Sequence, residues 1–297
     1  MSRFAFVAAE RANHAVAKLC RIIGASVSGF YAWLRAIPAV RSRAEAEAKL
    51  RRHIGRVFAA RRRVYGAPRV HAELRREGRR HSRRRVAQLM REMGLAARRG
   101  RRRTPRTTDS RHDQPVAPNL VDRNFVADRP DTVWLADISY IATDEGWLYL
   151  AAIEDMATRE IVGWSMADHL RGGLARDALV MALQRCRPPE GLIQHSDRGV
   201  QYAAGPYRKV LERHGIRQSM SRRGNCLDNA PMESFFASLK REQVHLTRFR
   251  TREEAKAAVF DYIEIFYNRQ RLHSALGYRT PAEVRASMEG ITMLKAA

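Results

Sequence analysis

The chain of 297 residues carries 55 Lys and Arg against 31 Asp and Glu, a formal net charge of +24, with 45% hydrophobic residues. That apolar share is enough for a buried core in two or three domains and excludes a disordered polyelectrolyte, while the charge points to phosphate-bearing partners. With no apolar run of about 18 residues and no secretory leader, a cytoplasmic protein that does not engage membranes is expected. Cys20, Cys186 and Cys226 are far apart and lack metal-ligand spacing, so neither a disulfide framework nor a structural zinc site is indicated.

Two helical pairs open the chain. Ala15 to Ile23 is an apolar helical stretch broken by Gly24, and Ser26 or Ser28 can cap a helix through Phe30, Trp33 and Leu34. Ala67 to Glu77 carries Val70 and Leu74, Gly78 interrupts, and Ser82 caps a second helix running to Met93 before Gly94. Val86, Leu89, Met90 and Met93 share one face of that helix, and Arg83, Arg84, Arg85 and Arg91 surround its start and middle, as in a helix-turn-helix that meets DNA. A helical bundle with a solvated basic face is the plainer alternative. Residues 41–111 hold 25 Lys and Arg against 6 Asp and Glu, which is +19 of the +24. Arg101 to Gln114, nearly devoid of apolar residues, reads as a linker.

The second half changes character. Thr132 to Ala142 and Trp147 to Ile153 form a β-hairpin around Asp144, Glu145 and Gly146, and Ile161 to Met166 supplies a third strand. A helix over Leu174 to Arg187, a strand over Gly191 to His195, a helix over Gly205 to His214 and a strand over Ile216 to Met220 follow. This order gives an α/β fold with a mixed five-stranded sheet flanked by helices. Thr251-Arg252-Glu253-Glu254 is a capping box, opening a helix through Val259, Tyr262, Ile263 and Phe266.

Three carboxylates stand out. Asp137 lies within an apolar strand, where a charge is costly unless it is paired or ligates a metal. Asp197 follows His195 at the carboxyl end of a strand, where open α/β sheets expose functional groups. Glu233 falls in the first turn of a helix begun by Pro231, with Lys240 two turns further on. Separately, Asp137 and Asp197 read equally well as a solvent-facing strand aspartate and a turn aspartate, and Lys240 as a surface lysine. Together, with 59 residues between the first two and 35 between the second two, they fit a two-metal phosphoryl-transfer site for Mg²⁺ or Mn²⁺. Two ions and no small-molecule cofactor are expected.

HSDRGVQY around Asp197, RRGNCLDNAPMESFFASLKRE around Glu233 and YNRQRLHSALGYRTPAE from Tyr267 to Glu283 resemble the DDE transposases of the IS-three insertion-sequence family. The likeness is to the second-frame product, with its retroviral-integrase-like core. YGAPRVHAELRREG, from Tyr65 to Gly78, matches that family's helix-turn-helix, and LCRIIGASVSGFYAWL matches its opening. The resemblance implies an RNase H-like fold, Asp137, Asp197 and Glu233 as catalytic metal ligands, and Lys240 as a contact to element ends. It also implies strand cleavage followed by attack of a 3′-hydroxyl on another phosphodiester. Arg69 joins Arg83, Arg84, Arg85 and Arg91 as a candidate DNA contact, while His195, Asn229, Tyr267, Asn268, Arg271 and His273 are candidate supporting residues, the C-terminal signature bracing the core or touching DNA. Expected partners are DNA, as element ends and target, further copies of the chain on that DNA, and the upstream frame's product, since no sustained zipper heptad occurs here. The alternatives are a non-catalytic DNA-binding regulator and an RNase H-like nuclease without strand transfer.

The corresponding domains are a helical segment over 1–40, a basic helix-turn-helix domain over 41–100, a linker over 101–118, a catalytic core with a helical extension over 119–286, and a tail over 287–297.

Overall fold

The computed structural model of the chain describes residues 2–98, 114–222 and 226–296. The chain divides into two units, Met1–Ala60 with Val70–Ala96, and Arg61–Arg69 with Ala97–Ala297. Most of the expected linker lies outside the described residues.

The first unit is helical. Helix α1 (Arg3–Glu10) starts where the Ser2 hydroxyl accepts the Ala5 N–H, and α2 (Val16–Ile22) ends at Gly24, whose φ of +65° favours glycine. Ser26, not Ser28, caps α3 (Val27–Ala60) by accepting the Gly29 N–H at 3.1 Å. Val7, Leu19, Cys20 and Phe30 close a small core. Helix α3 runs straight through the boundary expected at residue 40. Pro38 removes one backbone N–H and crowds the carbonyl four residues earlier. Burial of Phe30 on one side and of Leu50, Ile54, Val57 and Phe58 on the other anchors both ends of the helix around that defect.

Helix α4 (Ala67–Arg76), whose first three residues group with the second unit, buries Val70 and Leu74. Helix α5 (Arg83–Glu92) buries Val86, Leu89 and Met90 beneath a Ser82 cap. Gly78 and Gly94, both at positive φ, terminate the pair, which is the expected helix-turn-helix.

The second unit is built on a sheet of order β3-β2-β1-β4-β5. Strands β1 (Val133–Thr143), β2 (Gly146–Asp155) and β3 (Ile161–Ala167) form an antiparallel meander. Helix α6 (Gly172–Cys186) carries the chain over to β4 (Ile193–Ser196), parallel to β1. Helices α7 (Val200–Ala203) and α8 (Gly205–Arg213) then lead to β5 (Arg217–Met220), parallel to β4. Parallel returns require such crossovers, whereas the meander needs only tight turns. This is the RNase H-like sheet. Helix α6 lies so close to β3 that a Cβ on Gly163 would stand 2.3 Å from the Ala178 carbonyl oxygen, so only glycine permits the approach. Trp134, Ala151, Val162, Leu179 and Leu211 are among the residues of the core beneath these helices.

Helix α9 (Ala230–Glu242) and α10 (Arg252–Phe260) follow, the latter capped as expected by Thr251, which accepts the Glu254 N–H at 3.1 Å. The chain then widens into a π-helical segment, Asp261–Tyr267, in place of the plain α-helix expected there. Helix α11 (Pro281–Ala296) continues through the boundary expected at 286 and through most of the residues assigned to a tail.

Candidate active site

Strand register brings the first two carboxylates side by side. Ala136 of β1 pairs with Ser196, the last residue of β4, so Asp137 is the next residue of β1 and Asp197 the first beyond β4, on neighbouring parallel chains whose backbones lie about 4.8 Å apart in the sheet. Asp137 Oδ1 accepts its neighbour Ile138's N–H at 2.8 Å, and Asp197 Oδ1 accepts the Gly199 N–H at 2.9 Å. The third carboxylate arrives through Asn229, whose side-chain amide donates at 3.0 Å to the Ala136 carbonyl, one residue from Asp137. Asn229 is the cap position of α9, and Glu233 stands exposed in its first turn.

Burial holds the Asp137 carboxyl well above the usual range; the charges of Asp197 and then Glu233 push it further, against the Ile138 N–H and the Lys240 ammonium. The three acids and Lys240 therefore share one electrostatic neighbourhood. Lys240 lies 5.0 Å from the centre of the Tyr140 ring, a cation–π contact, and burial lowers its pKa while Asp137 raises it. Among the described residues no three His, Cys, Asp or Glu side chains close into a preformed metal cage. The donor set is all oxygen and carries surplus negative charge, which fits Mg²⁺ or Mn²⁺, ions that use one or two carboxylates at a time and keep several waters.

His195 is a brace. Its Nδ1 meets the Ser219 hydroxyl at 2.8 Å, and that hydroxyl in turn accepts the Leu120 N–H. Its Nε2 therefore donates, to the Asp228 carbonyl at 3.0 Å and the Ser221 hydroxyl at 3.1 Å. Burial lowers its pKa, keeping the ring neutral. It joins β4 and β5 to the turn that opens α9.

Asp228 was not singled out from the sequence. It is fully buried and accepts from the Arg222 backbone N–H, Nε and Nη2 and from Arg123 Nε, all at 2.8 to 2.9 Å. These guanidinium donors hold its carboxyl far below the usual range. Arg222, six residues before Asp228, could have flagged it as a paired group, but the partner at Arg123 is over a hundred residues away in sequence. Tyr202 was also missed; its buried hydroxyl has no hydrogen-bond partner among the described residues, and it feels both Asp137 and Asp197.

The C-terminal signature makes hydrogen bonds to the core. Asn268 accepts the Ile161 N–H at 2.9 Å and donates to the Ile161 carbonyl at 3.0 Å, completing the end of β3. Arg271 grips both oxygens of Glu242 at 2.7 Å and donates to Ser238. The ring of His273 packs edge-on against Tyr267, and burial with Arg271 and Arg69 nearby holds its pKa well below the ordinary value. Of the candidate DNA contacts, Arg83, Arg84 and Arg91 are exposed, whereas Arg85 ion-pairs with Glu47 and Arg69 donates to the Leu272 carbonyl at 2.9 Å.

Tyr267 also donates to Glu154, a buried carboxyl raised to about 7 by burial despite Arg159. A carboxyl with a raised folded pKa stabilises the fold fully below its unfolded value and loses that contribution as pH rises through about 7. The loss is at most about 3 kcal/mol. Thermal unfolding of wild type should therefore weaken between pH 5 and 8 by several degrees more than that of Glu154→Gln, at roughly 2–4 °C per kcal/mol. Identical pH dependence in the two proteins would remove Glu154 from this role.

A five-stranded mixed sheet of this order, flanked by helices and preceded by a helix-turn-helix, is the architecture of integrase-type polynucleotidyl transferases. The sequence matches agree. Residues 127–226 and 214–281 match models described as integrase core domain, and residues 44–103 match an HTH-like domain. The insertion element IS600 uncharacterized 31 kDa protein of Shigella sonnei is 46% identical over 90% of this chain and 97% of its own length. Transposase InsF for insertion sequence IS3A of Escherichia coli (strain K12) is 40% identical over 95% of this chain and 97% of its own. The catalytic core domain of BIV integrase, 16% identical, superposes with a TM-score of 0.42 over 55% of this chain and 99% of that one. The chain belongs to the IS3 family of insertion-sequence transposases.

Proposed function

We propose that this transposase cuts DNA at the ends of its insertion sequence and joins the freed 3′-hydroxyl to a second phosphodiester, with Asp137, Asp197 and Glu233 holding two divalent ions, Mg²⁺ or Mn²⁺. The observation that supports this most directly is the β1–β4 register, which sets Asp137 beside Asp197, with the α9 cap tied to the Ala136 carbonyl one residue away. When bound, such ions supply a deprotonated attacking oxygen and neutralise charge on the leaving oxygen. In the first reaction a water oxygen forms a bond to phosphorus and the 3′-oxygen leaves with a proton. In the second, that 3′-oxygen attacks a target phosphodiester and displaces another 3′-oxygen, so bonds made and broken balance and no energy cofactor is consumed.

The chain's own groups divide the remaining work. Lys240, beside Asp137, binds a phosphate oxygen of the element end and limits repulsion between DNA and the acids. His195 and Asn229 keep the α9 start against the sheet. Arg83, Arg84 and Arg91 contact DNA from the helix-turn-helix, as Arg85 and Arg69 do only where their internal partners release them. The working form is an assembly of several copies on DNA in the bacterial cytoplasm, joined by the upstream frame's product.

The test is incubation with labelled element-end duplex and Mg²⁺, with and without that upstream product. Cleaved ends and longer joined strands are expected. Cleavage without joined strands would make the protein a nuclease, and binding with neither would make it a DNA-binding regulator.

A further inference from the structure

Within the second unit, a cavity of about 280 Å³ opens beside α9. Four arginines line it, Arg69, Arg98, Arg241 and Arg271, together with the hydroxyl-bearing Ser234 and Ser238. Among the described residues Glu242 is the single carboxylate in its lining, and that charge is already committed. Both of its oxygens accept from Arg271 at 2.7 Å, one also accepts the Tyr262 hydroxyl at 2.9 Å, and Arg69 Nη1 lies 3.6 Å away. His273, also in the lining, is kept neutral by burial and by the same cations. After burial, the charge of Arg271 is the next cause lowering the pKa of Arg69, as expected where cations outnumber their counter-charges.

Arg98 and Arg241, both in this lining, are exposed residues, and neither ion-pairs with a carboxylate among the described residues. Arg241 Nε donates only to the Ala237 carbonyl, at 2.9 Å. Guanidinium forks and serine hydroxyls facing one volume are the donor set for a tetrahedral oxyanion, which arginine binds through two parallel N–H bonds. Ser234 and Arg241 immediately follow Glu233 and Lys240 in sequence, so the cavity lies about 100° round the same helix from the candidate catalytic face.

We propose that this cavity is a second phosphate site, which grips a backbone phosphodiester of the DNA strand flanking the one being cut. The proposal rests on the reading of the chain as a DNA strand transferase, but, Arg69 apart, it concerns side chains not assigned a role in that reading.

The test is the affinity of the full chain for fluorescein-labelled element-end duplex, read by anisotropy in EDTA over a series of salt concentrations. Because metal is absent, the result is independent of whether cleavage occurs; failure of wild type to cut in Mg²⁺ would sink the transferase reading without touching this measurement. The double variant Arg98→Ala, Arg241→Ala should bind about tenfold more weakly, with the slope of log affinity against log salt shallower by about 1 to 2, as for one or two lost phosphate contacts. Arg213→Ala, Arg217→Ala removes the same charge from exposed positions outside the cavity and should change the slope far less. Arg241→Glu alone should weaken binding more than Arg241→Ala alone. Equal slopes for the two double variants would overturn the site. Inorganic phosphate raising the melting temperature of wild type but not of the cavity variant, with DNA affinity the same in both, would make it a site for a free anion and likewise overturn the assignment to DNA.

Discussion

Asp197→Asn is expected to abolish Mg²⁺-dependent cleavage of element ends while leaving DNA affinity within about twofold of wild type. The asparagine oxygen can still accept the Gly199 N–H that Asp197 Oδ1 accepts at 2.9 Å, so the β4 end and the turn into α7 keep their form. What disappears is one negative charge from the proposed oxygen-only metal site. Removing a residue merely hydrogen-bonded behind a metal ligand already lowers metal affinity or activity 10- to 100-fold, roughly, so loss of a ligand should reduce turnover by more than about 100-fold. The helix-turn-helix arginines are untouched, which separates catalysis from binding. Single-turnover cleavage at saturating DNA gives the comparison; an asparagine variant that cuts at the wild-type rate would remove Asp197 from the reaction. Mn²⁺ at raised concentration should restore little, because the missing donor is a charged oxygen and not a matter of ion size.

The parts of the fold that were legible in the sequence are those specified by short-range signals. Three of the strands lie between turn residues and carry β-branched or aromatic side chains, and all five were found to within a few residues. The Ser82 and Thr251 caps were found because capping is a contact across three residues. The three acids of the proposed metal site stood out because each sits where a local rule makes it conspicuous: inside an apolar strand, at a strand end, and in a helix first turn. Long-range features were not legible in the same way. Helix α3 was read only through Leu34, with a boundary at residue 40, although the Leu50, Ile54, Val57 and Phe58 spacing that anchors its second half was available; that stripe is diluted by arginines. Residues 61–69 were assigned wholly to the basic domain, but Tyr65 donates to the Gln270 carbonyl and accepts the Leu272 N–H, bonds to partners some 200 residues away. No periodicity marks a residue whose partners are that remote. The role of Asp228 was hidden for the same reason, since its sequence neighbourhood announces only a polar turn before a helix.

That hidden residue carries the second large expected effect. Asp228→Ala should lower stability by about 2–3 kcal/mol and reduce cleavage by about 100-fold even at temperatures where the variant is folded. Removing one partner of a buried ion pair typically costs about 3–5 kcal/mol. Here Arg222 and Arg123 are 48% and 44% exposed, so their guanidinium groups regain water and the loss is smaller. The catalytic loss has a different origin. The backbone carbonyl of Asp228 accepts from His195, and the next residue, Asn229, ties α9 to Ala136, so Asp228 fixes the turn from which Glu233 projects. Once the carboxylate is gone, Arg222 and the segment 119–123 no longer hold that turn, and a displacement of Glu233 by about 1 Å is enough for a hundredfold loss. Asp228→Asn should recover little, because its amide NH₂ would face donors. As a carboxyl with a depressed folded pKa, Asp228 contributes its stability above the unfolded carboxyl range and loses it only in strong acid, so the comparison at neutral pH reads its full effect. Denaturant unfolding alongside single-turnover cleavage separates the two losses: a variant that is destabilised yet cleaves at the wild-type rate when folded would confine Asp228 to holding the fold and leave Glu233 positioned by Asn229 and His195 alone.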